Sequence, residues 1–89
     1  MENLIYNYKK WVPETNPDKL YKLLNSFLEE SGYTILNYSE YHFDNQGYTG
    51  VWLLAESHLA IHTFPEHNIT YLELSGCNDK MNKILMHYI

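Results

Sequence analysis

Residues 16–32 read NPDKLYKLLNSFLEESG, and this stretch decides what the rest of the chain has to be. Asn16 offers an N-cap, Pro17 suits the first helical position, and Gly32 supplies a left-handed stop. Between them Leu20, Leu23, Leu24, Phe27 and Leu28 recur at i, i+3, i+4, i+7 and i+8, which puts an apolar stripe along one side of a helix. Nothing else in the chain has enough apolar area to cover that stripe except a sheet.

The flanking segments supply the strands. Leu4 to Val12 (LIYNYKKWV) is aromatic and branched, with partial alternation. Tyr33 to Phe43 alternates loosely and runs into Asp44-Asn45-Gln46-Gly47, a hairpin-type turn. Tyr48 to Glu56 and Leu59 to Phe64 are two further strand-like runs, split by Ser57-His58, and Pro65 to Asn68 makes the next turn. Ile69 to Cys77 puts Tyr71, Glu73, Ser75 and Cys77 on one face and Leu72 and Leu74 on the other. From Asp79, helical spacing of Met81, Ile84, Leu85 and Tyr88 predicts a short second helix. The resulting order, β-α-β-β-β-α, predicts an α+β two-layer sandwich: an antiparallel sheet with helices on one face, the other face left for solvent, ligand or a second subunit.

Composition bounds the function classes. Eighty-nine residues make one domain, residues 1–89, and a chain of this size buries only about 60 to 65% of its unfolded surface. Six Lys and Arg stand against 11 Asp and Glu, a net charge of −5, which removes the counterion release that drives nucleic-acid binding. DNA and anionic membranes are therefore not expected as partners. Cys77 has no second cysteine to pair with, no run approaches 18 apolar residues, and Met1 to Lys10 lacks the features of a secretory signal, so a reducing cytoplasm is expected. With no disulfide or metal as a staple, 14 aromatic residues or a partner subunit must supply the buried area.

The reactive side chains cluster in Glu56-Ser57-His58, His62, Glu66-His67 and Cys77. His58 and His62 would share a helix face, but in a strand they stand about 13 Å apart and cannot chelate one ion together. No metal site is expected. Ser57 lacks the flanking glycines of a hydrolase elbow. Taken singly, each of these residues reads as structural.

Taken together they read differently. The stretch AESHLAIHTFPE at residues 55–66, followed by Cys77 at the end of the next strand, closely resembles the core signature of the bacterial and archaeal S-adenosylmethionine decarboxylases. In that family the pattern runs like E-S-H-(apolar)-(small)-I-H-T-W-P-E, then a strand ending in Cys-Gly. The likeness continues upstream through His42-Phe43 and Gly47-Tyr48-Thr49-Gly50-Val51. Three residues depart from the pattern: Thr49 stands for a serine, Phe64 for a tryptophan and Asn78 for a glycine. Family members also usually continue past the second helix into at least one further strand, whereas this sequence stops at Ile89.

The resemblance implies a proenzyme that cuts its own backbone between Glu56 and Ser57. Ser57 attacks the Glu56 carbonyl, an ester forms, and elimination and hydrolysis leave a pyruvoyl group in place of Ser57. That ketone forms a Schiff base with the substrate amine and acts as the electron sink for loss of CO₂, so no external cofactor and no metal is implied. By the same resemblance His62 is the base of the elimination, Thr49 assists processing, and Cys77 is the proton donor after decarboxylation. Phe43 lies against the adenine and Glu66 accepts from the ribose hydroxyls. The implied product serves polyamine (spermidine) biosynthesis, and the implied assembly is a homodimer. A homologue acting on ornithine or arginine, or a non-processing relative serving as a ligand-binding or regulatory subunit, would carry much of the same pattern.

Ser57 and His62 have opposite parity along a strand. They can cooperate only if the chain is bent or bulged around Glu56 to His58, and such a break is expected here.

Overall fold

The computed structural model describes residues 4–89, and its first helix, α1 (Pro17–Glu30), starts and stops at the signals in the sequence. The Asn16 side chain accepts the Lys19 backbone N–H at 3.0 Å. At the other end Gly32 takes φ +94°, and the N–H groups of Gly32 and Tyr33 donate to the carbonyls of Glu29 and Leu28, which would otherwise be orphaned. Leu20, Leu24 and Leu28 are buried, whereas Leu23 is 49% exposed, so the buried stripe is narrower than its spacing suggests.

The stripe rests on a five-stranded sheet. Its strands are β1 (Tyr6–Val12), β2 (Ile35–His42), β3 (Tyr48–Leu54), β4 (Ser57–Phe64) and β5 (Ile69–Gly76). Across the sheet they stand in the order β1-β5-β4-β3-β2, every neighbouring pair antiparallel. A 3-10 turn, Pro65–His67, joins β4 to β5, and α2 (Asp79–Tyr88) ends the chain. The five strands correspond to the five strand-like runs, one more than the order β-α-β-β-β-α counts, since Tyr48 to Glu56 and Leu59 to Phe64 are separate, paired strands. Their joint also lies earlier than Ser57-His58. Ala55 and Glu56 make the reversal, with Glu56 at φ +62°, and Ser57 is already paired with Leu54 and Gly76.

Side chains alternate cleanly from β3 to β5. Trp52, Leu54, Leu59, Ile61, Leu72 and Leu74 face the helices and form the core with the α1 leucines and Leu85 of α2. Each fully buried side chain of this size contributes about 1.5–3 kcal/mol. In β5 the alternation is the one predicted, with Leu72 and Leu74 inward. The loose alternation of β2 has a local cause. A register shift between Ile35 and Asn37 sets Leu36 aside as an extra residue, so Ile35 and Tyr38 both face the core although three apart.

The opposite face carries no helix. One row of it, Trp11, Tyr71, His62, Thr49 and Tyr41, crosses all five strands in register.

Candidate active site

The Glu56–Ser57 peptide bond joins a two-residue turn to the first residue of a central strand. Glu56 sits in the left-handed region, a conformation that costs a residue with a Cβ on the order of 1–2 kcal/mol. Ser57 follows on the helix face and is nearly buried. Its neighbour across the ladder is Gly76, and a Cβ there would collide with the Ser57 hydroxyl and come within 3.0 Å of Asn82 Oδ1. Gly76 is thus the residue that makes room for the serine.

Cys77 comes directly after β5 and is exposed. Its thiol donates towards Glu56: Sγ lies 3.4 Å from the carboxylate Oε2 and 3.7 Å from the backbone carbonyl oxygen. The hydrogen bond to Glu56 is the main influence holding the thiol above its ordinary pKa, with desolvation and the Glu56 charge acting the same way. The Glu56 carboxylate, its backbone carbonyl and the thiol therefore form one contact group.

On the bare face, Thr49 Oγ1 and His62 Nδ1 are 2.9 Å apart, a hydrogen bond between paired residues of β3 and β4. They border a cavity of about 250 Å³ together with Phe43, Phe64 and Glu66. The structure thus gathers Phe43, Thr49, His62 and Glu66 at one place, and Glu56 and Cys77, with Ser57 adjoining, at another.

It does not bring His62 to Ser57. The chain does reverse at Glu56, but the reversal precedes Ser57, and pairing from Ser57 to Phe64 runs without a bulge. The two residues lie on opposite faces of β4, about 16 Å apart along the strand. The expected bend around Glu56 to His58 therefore does not unite them within one chain. Among the described residues no three His, Cys, Asp or Glu side chains converge as a metal site, and no helix is long and apolar enough to cross a membrane.

Three residues near Ser57 escaped the sequence reading: Tyr33, Gly76 and Asn82. Asn82 is fully buried on α2, accepts the Tyr33 hydroxyl at Oδ1, and donates to the carbonyls of Tyr6 at 3.4 Å and Gly76 at 3.3 Å. A signal for it existed, since an asparagine three residues before Leu85 falls inside the apolar stripe of α2. Asn78, the departure from the family glycine, has a local role: its side chain accepts the Met81 N–H and caps α2.

Comparison with known proteins places this geometry. S-adenosylmethionine decarboxylase proenzymes of Prochlorococcus marinus and Aquifex aeolicus are 44% and 40% identical over 52 and 58 residues. Those stretches are 58% and 65% of this chain, but 42% and 43% of the relatives, so the chain matches less than half the length of either. The crystal structure of the adenosylmethionine decarboxylase from Aquifex aeolicus superimposes with a TM-score of 0.80 at 27% identity, covering 99% of this chain and 78% of that one. The family pattern for S-adenosylmethionine decarboxylase matches residues 3–89, nearly the whole chain, and the chain belongs to this family.

Proposed function

We propose that the chain is a self-processing, pyruvoyl-dependent S-adenosylmethionine decarboxylase that serves spermidine biosynthesis. The observation that carries this reading is the Glu56–Ser57 bond. Its acyl residue is held at φ +62°, with the Ser57 hydroxyl on the helix face and the Cys77 thiol against Glu56. Stored backbone strain at a scissile linkage lowers the cost of leaving the ground state.

Self-cleavage then follows from the groups present. Ser57 Oγ bonds to the Glu56 carbonyl carbon as the peptide C–N bond breaks, and the hydroxyl proton ends on the freed Ser57 nitrogen. Removal of the Ser57 Cα proton expels the Glu56 carboxylate from Cβ, and water replaces the nitrogen as ammonia. A pyruvoyl group keeps the Cα and Cβ of Ser57 and loses its hydroxyl, so the space opposite Gly76 that fits the serine also fits the product. When formed, that group supplies the ketone electron sink for decarboxylation.

The other residues bind and move protons. Cys77, kept protonated by Glu56, delivers a proton to the carbon that has lost CO₂. Phe43 and Phe64 offer ring faces to the adenine and the sulfonium cation, and Glu66 accepts from the ribose. His62, oriented by Thr49, serves as base in the elimination. It stands about 16 Å along β4 from Ser57 of its own chain, so in this reading it acts on the Cα proton of a second copy's Ser57, a backbone group within the sheet, in a homodimer formed through the bare sheet face. Trp11, Tyr41, Phe43 and Leu53 leave apolar area on that face, each about half exposed or more.

The test is intact mass and denaturing electrophoresis of freshly purified protein. Two fragments are expected, the downstream one beginning with pyruvoyl in place of Ser57, and Ser57→Ala should stay whole. A single chain after long incubation defeats the reading. Release of CO₂ from S-adenosylmethionine, ornithine and arginine, compared side by side, fixes the substrate; preference for either of the latter two overturns that assignment.

A further inference from the structure

Beneath the scissile bond, on the helix side of the sheet, lies a buried chain of polar groups that none of the roles above uses. Tyr33, the residue after the α1 stop, is 6% exposed, and its hydroxyl donates to Asn82 Oδ1. Asn82 is held from the other end, because its amide donates to two backbone carbonyls, those of Tyr6 and Gly76. This leaves the carboxamide one orientation, with Oδ1 towards Tyr33. Burial pushes the Tyr33 phenol up to about 12, and the neighbouring Ser57 hydroxyl pulls the other way. Tyr33 has one proton and gives it to Asn82, so towards Ser57 its oxygen can only accept.

The consequence is directional. A serine hydroxyl has one proton and two lone pairs, and the groups beside it on the helix side, Asn82 Oδ1 and the Tyr33 oxygen, can only accept from it, so a proton directed to that side leaves a lone pair for the neighbouring Glu56 carbonyl carbon. Gly76 completes the arrangement, since any Cβ there would displace both the hydroxyl and Asn82.

We propose that Tyr33, Asn82 and Gly76 form a seat that orients the Ser57 hydroxyl for its attack on Glu56, which makes Tyr33 and Asn82 positioning residues for self-cleavage. The proposal rests on the self-cleavage reading and extends it: α2, through Asn82, becomes part of the processing machinery and not only a cover for the core. The step concerned is the first, in which the Oγ–C bond forms, the C–N bond breaks and the hydroxyl proton passes to the nitrogen. Later steps do not depend on the seat.

The experiment follows cleavage of the full chain by intact mass over time, with and without hydroxylamine. Hydroxylamine attacks the ester carbonyl, leaves a hydroxamate on Glu56 and releases a fragment that begins with intact Ser57, so it reports the first step separately from the elimination. Tyr33→Phe removes one hydroxyl and keeps the ring; Asn82→Leu removes the anchor. Both are expected to cut at least about tenfold more slowly, the size of effect that misplacement of a reacting atom produces. Hydroxylamine-released and pyruvoyl fragments should fall together, while thermal melts show Tyr33→Phe folded. His62→Ala serves as the contrast and should accumulate hydroxylamine-sensitive ester. Cleavage of folded Tyr33→Phe at the wild-type rate overturns the seat and leaves the self-cleavage reading standing. So does loss of the pyruvoyl fragment with the hydroxylamine product undiminished. A wild-type chain that never cuts overturns both.

Discussion

The sulfur of Cys77 and a carboxylate oxygen of Glu56 stand 3.4 Å apart across the turn that precedes the proposed cleavage point. The contact links the residue that would lose its peptide bond to the residue that would protonate the product carbon. Because the hydrogen bond to Glu56 is the main influence raising the thiol pKa, the thiol should remain protonated somewhat above the pH at which a free cysteine ionises, about 8.5. Alkylation by iodoacetamide as a function of pH should show a midpoint above that value, and Glu56→Gln should move it down. Identical midpoints for the two proteins would remove Glu56 from this role.

His62 faces away from Ser57 of its own chain, which makes subunit mixing informative. Ser57→Ala and His62→Ala chains should each fail to yield a pyruvoyl fragment alone. In the proposed homodimer, coexpression would give mixed dimers in which a chain with intact Ser57 meets His62 of its partner, so the His62→Ala chains should mature in part. If they remain immature in mixed dimers, action between subunits is refuted.

Thr49 holds the imidazole of His62 through Oγ1 at 2.9 Å. Thr49→Val keeps the shape and removes the oxygen, and pyruvoyl formation should slow by about tenfold or more, within the range that a positioned acid–base group supplies. Thr49→Ser restores the hydroxyl and should stay within about threefold of wild type on the same scale. A valine variant as fast as the serine one would leave Thr49 without a function in processing.

The tyrosines make the fold sensitive to alkali. Tyr33, Tyr38 and Tyr48 are all pushed above the ordinary phenol pKa, with burial the largest cause in each. In the unfolded chain they lose their protons near pH 10, while the folded chain keeps them. Above that pH the folded state binds more protons, so its stability falls as pH rises towards the folded values, and is fully present below pH 10. Urea midpoints should be level from pH 8 to 9.5 and decline beyond 10. A flat profile to pH 11 contradicts this.

Core packing can be checked on α1 by two leucines in adjacent positions. Leu24 is 2% exposed and Leu23 is 49% exposed. Leu24→Ala should cost about 2–5 kcal/mol in urea unfolding, and Leu23→Ala less than about 1 kcal/mol. Comparable losses would mean that Leu23 is covered in solution, as it would be by an additional subunit or segment.

Much of this architecture was legible in the residues. Asn16, Pro17 and Gly32 fix α1 through backbone chemistry that acts locally, and the strict alternation of β5 fixes its two faces. The hairpin joint between β3 and β4 lies at Ala55-Glu56, two residues before the Ser57-His58 split that the sequence suggests. Glu56 is not a turn residue by type, and only pairing of Ser57 with Gly76 across the sheet reveals that the strand has already begun. The Glu-Ser-His and Cys77 pattern singles out the candidate groups, but not their separation: parity places His62 and Ser57 on opposite faces, and only the regular register excludes a bulge. The seat around Ser57 was hidden for a similar reason: Tyr33 and Asn82 are 49 residues apart and meet only when α2 closes over the sheet.

The strand order gives the proposed cleavage a consequence. Cutting at Glu56–Ser57 leaves one piece with β1, β2 and β3 and another with β4 and β5, and the order β1-β5-β4-β3-β2 inserts the second pair between strands of the first. Each piece alone would lack its central hydrogen-bonding neighbours. Before the cut, refolding is unimolecular; after it, the two pieces must find each other, so recovery from denaturant becomes second order in protein concentration. Maturation would thus make the fold easy to keep but slow to regain, and a cell that needs the enzyme again after damage would have to synthesise a fresh chain.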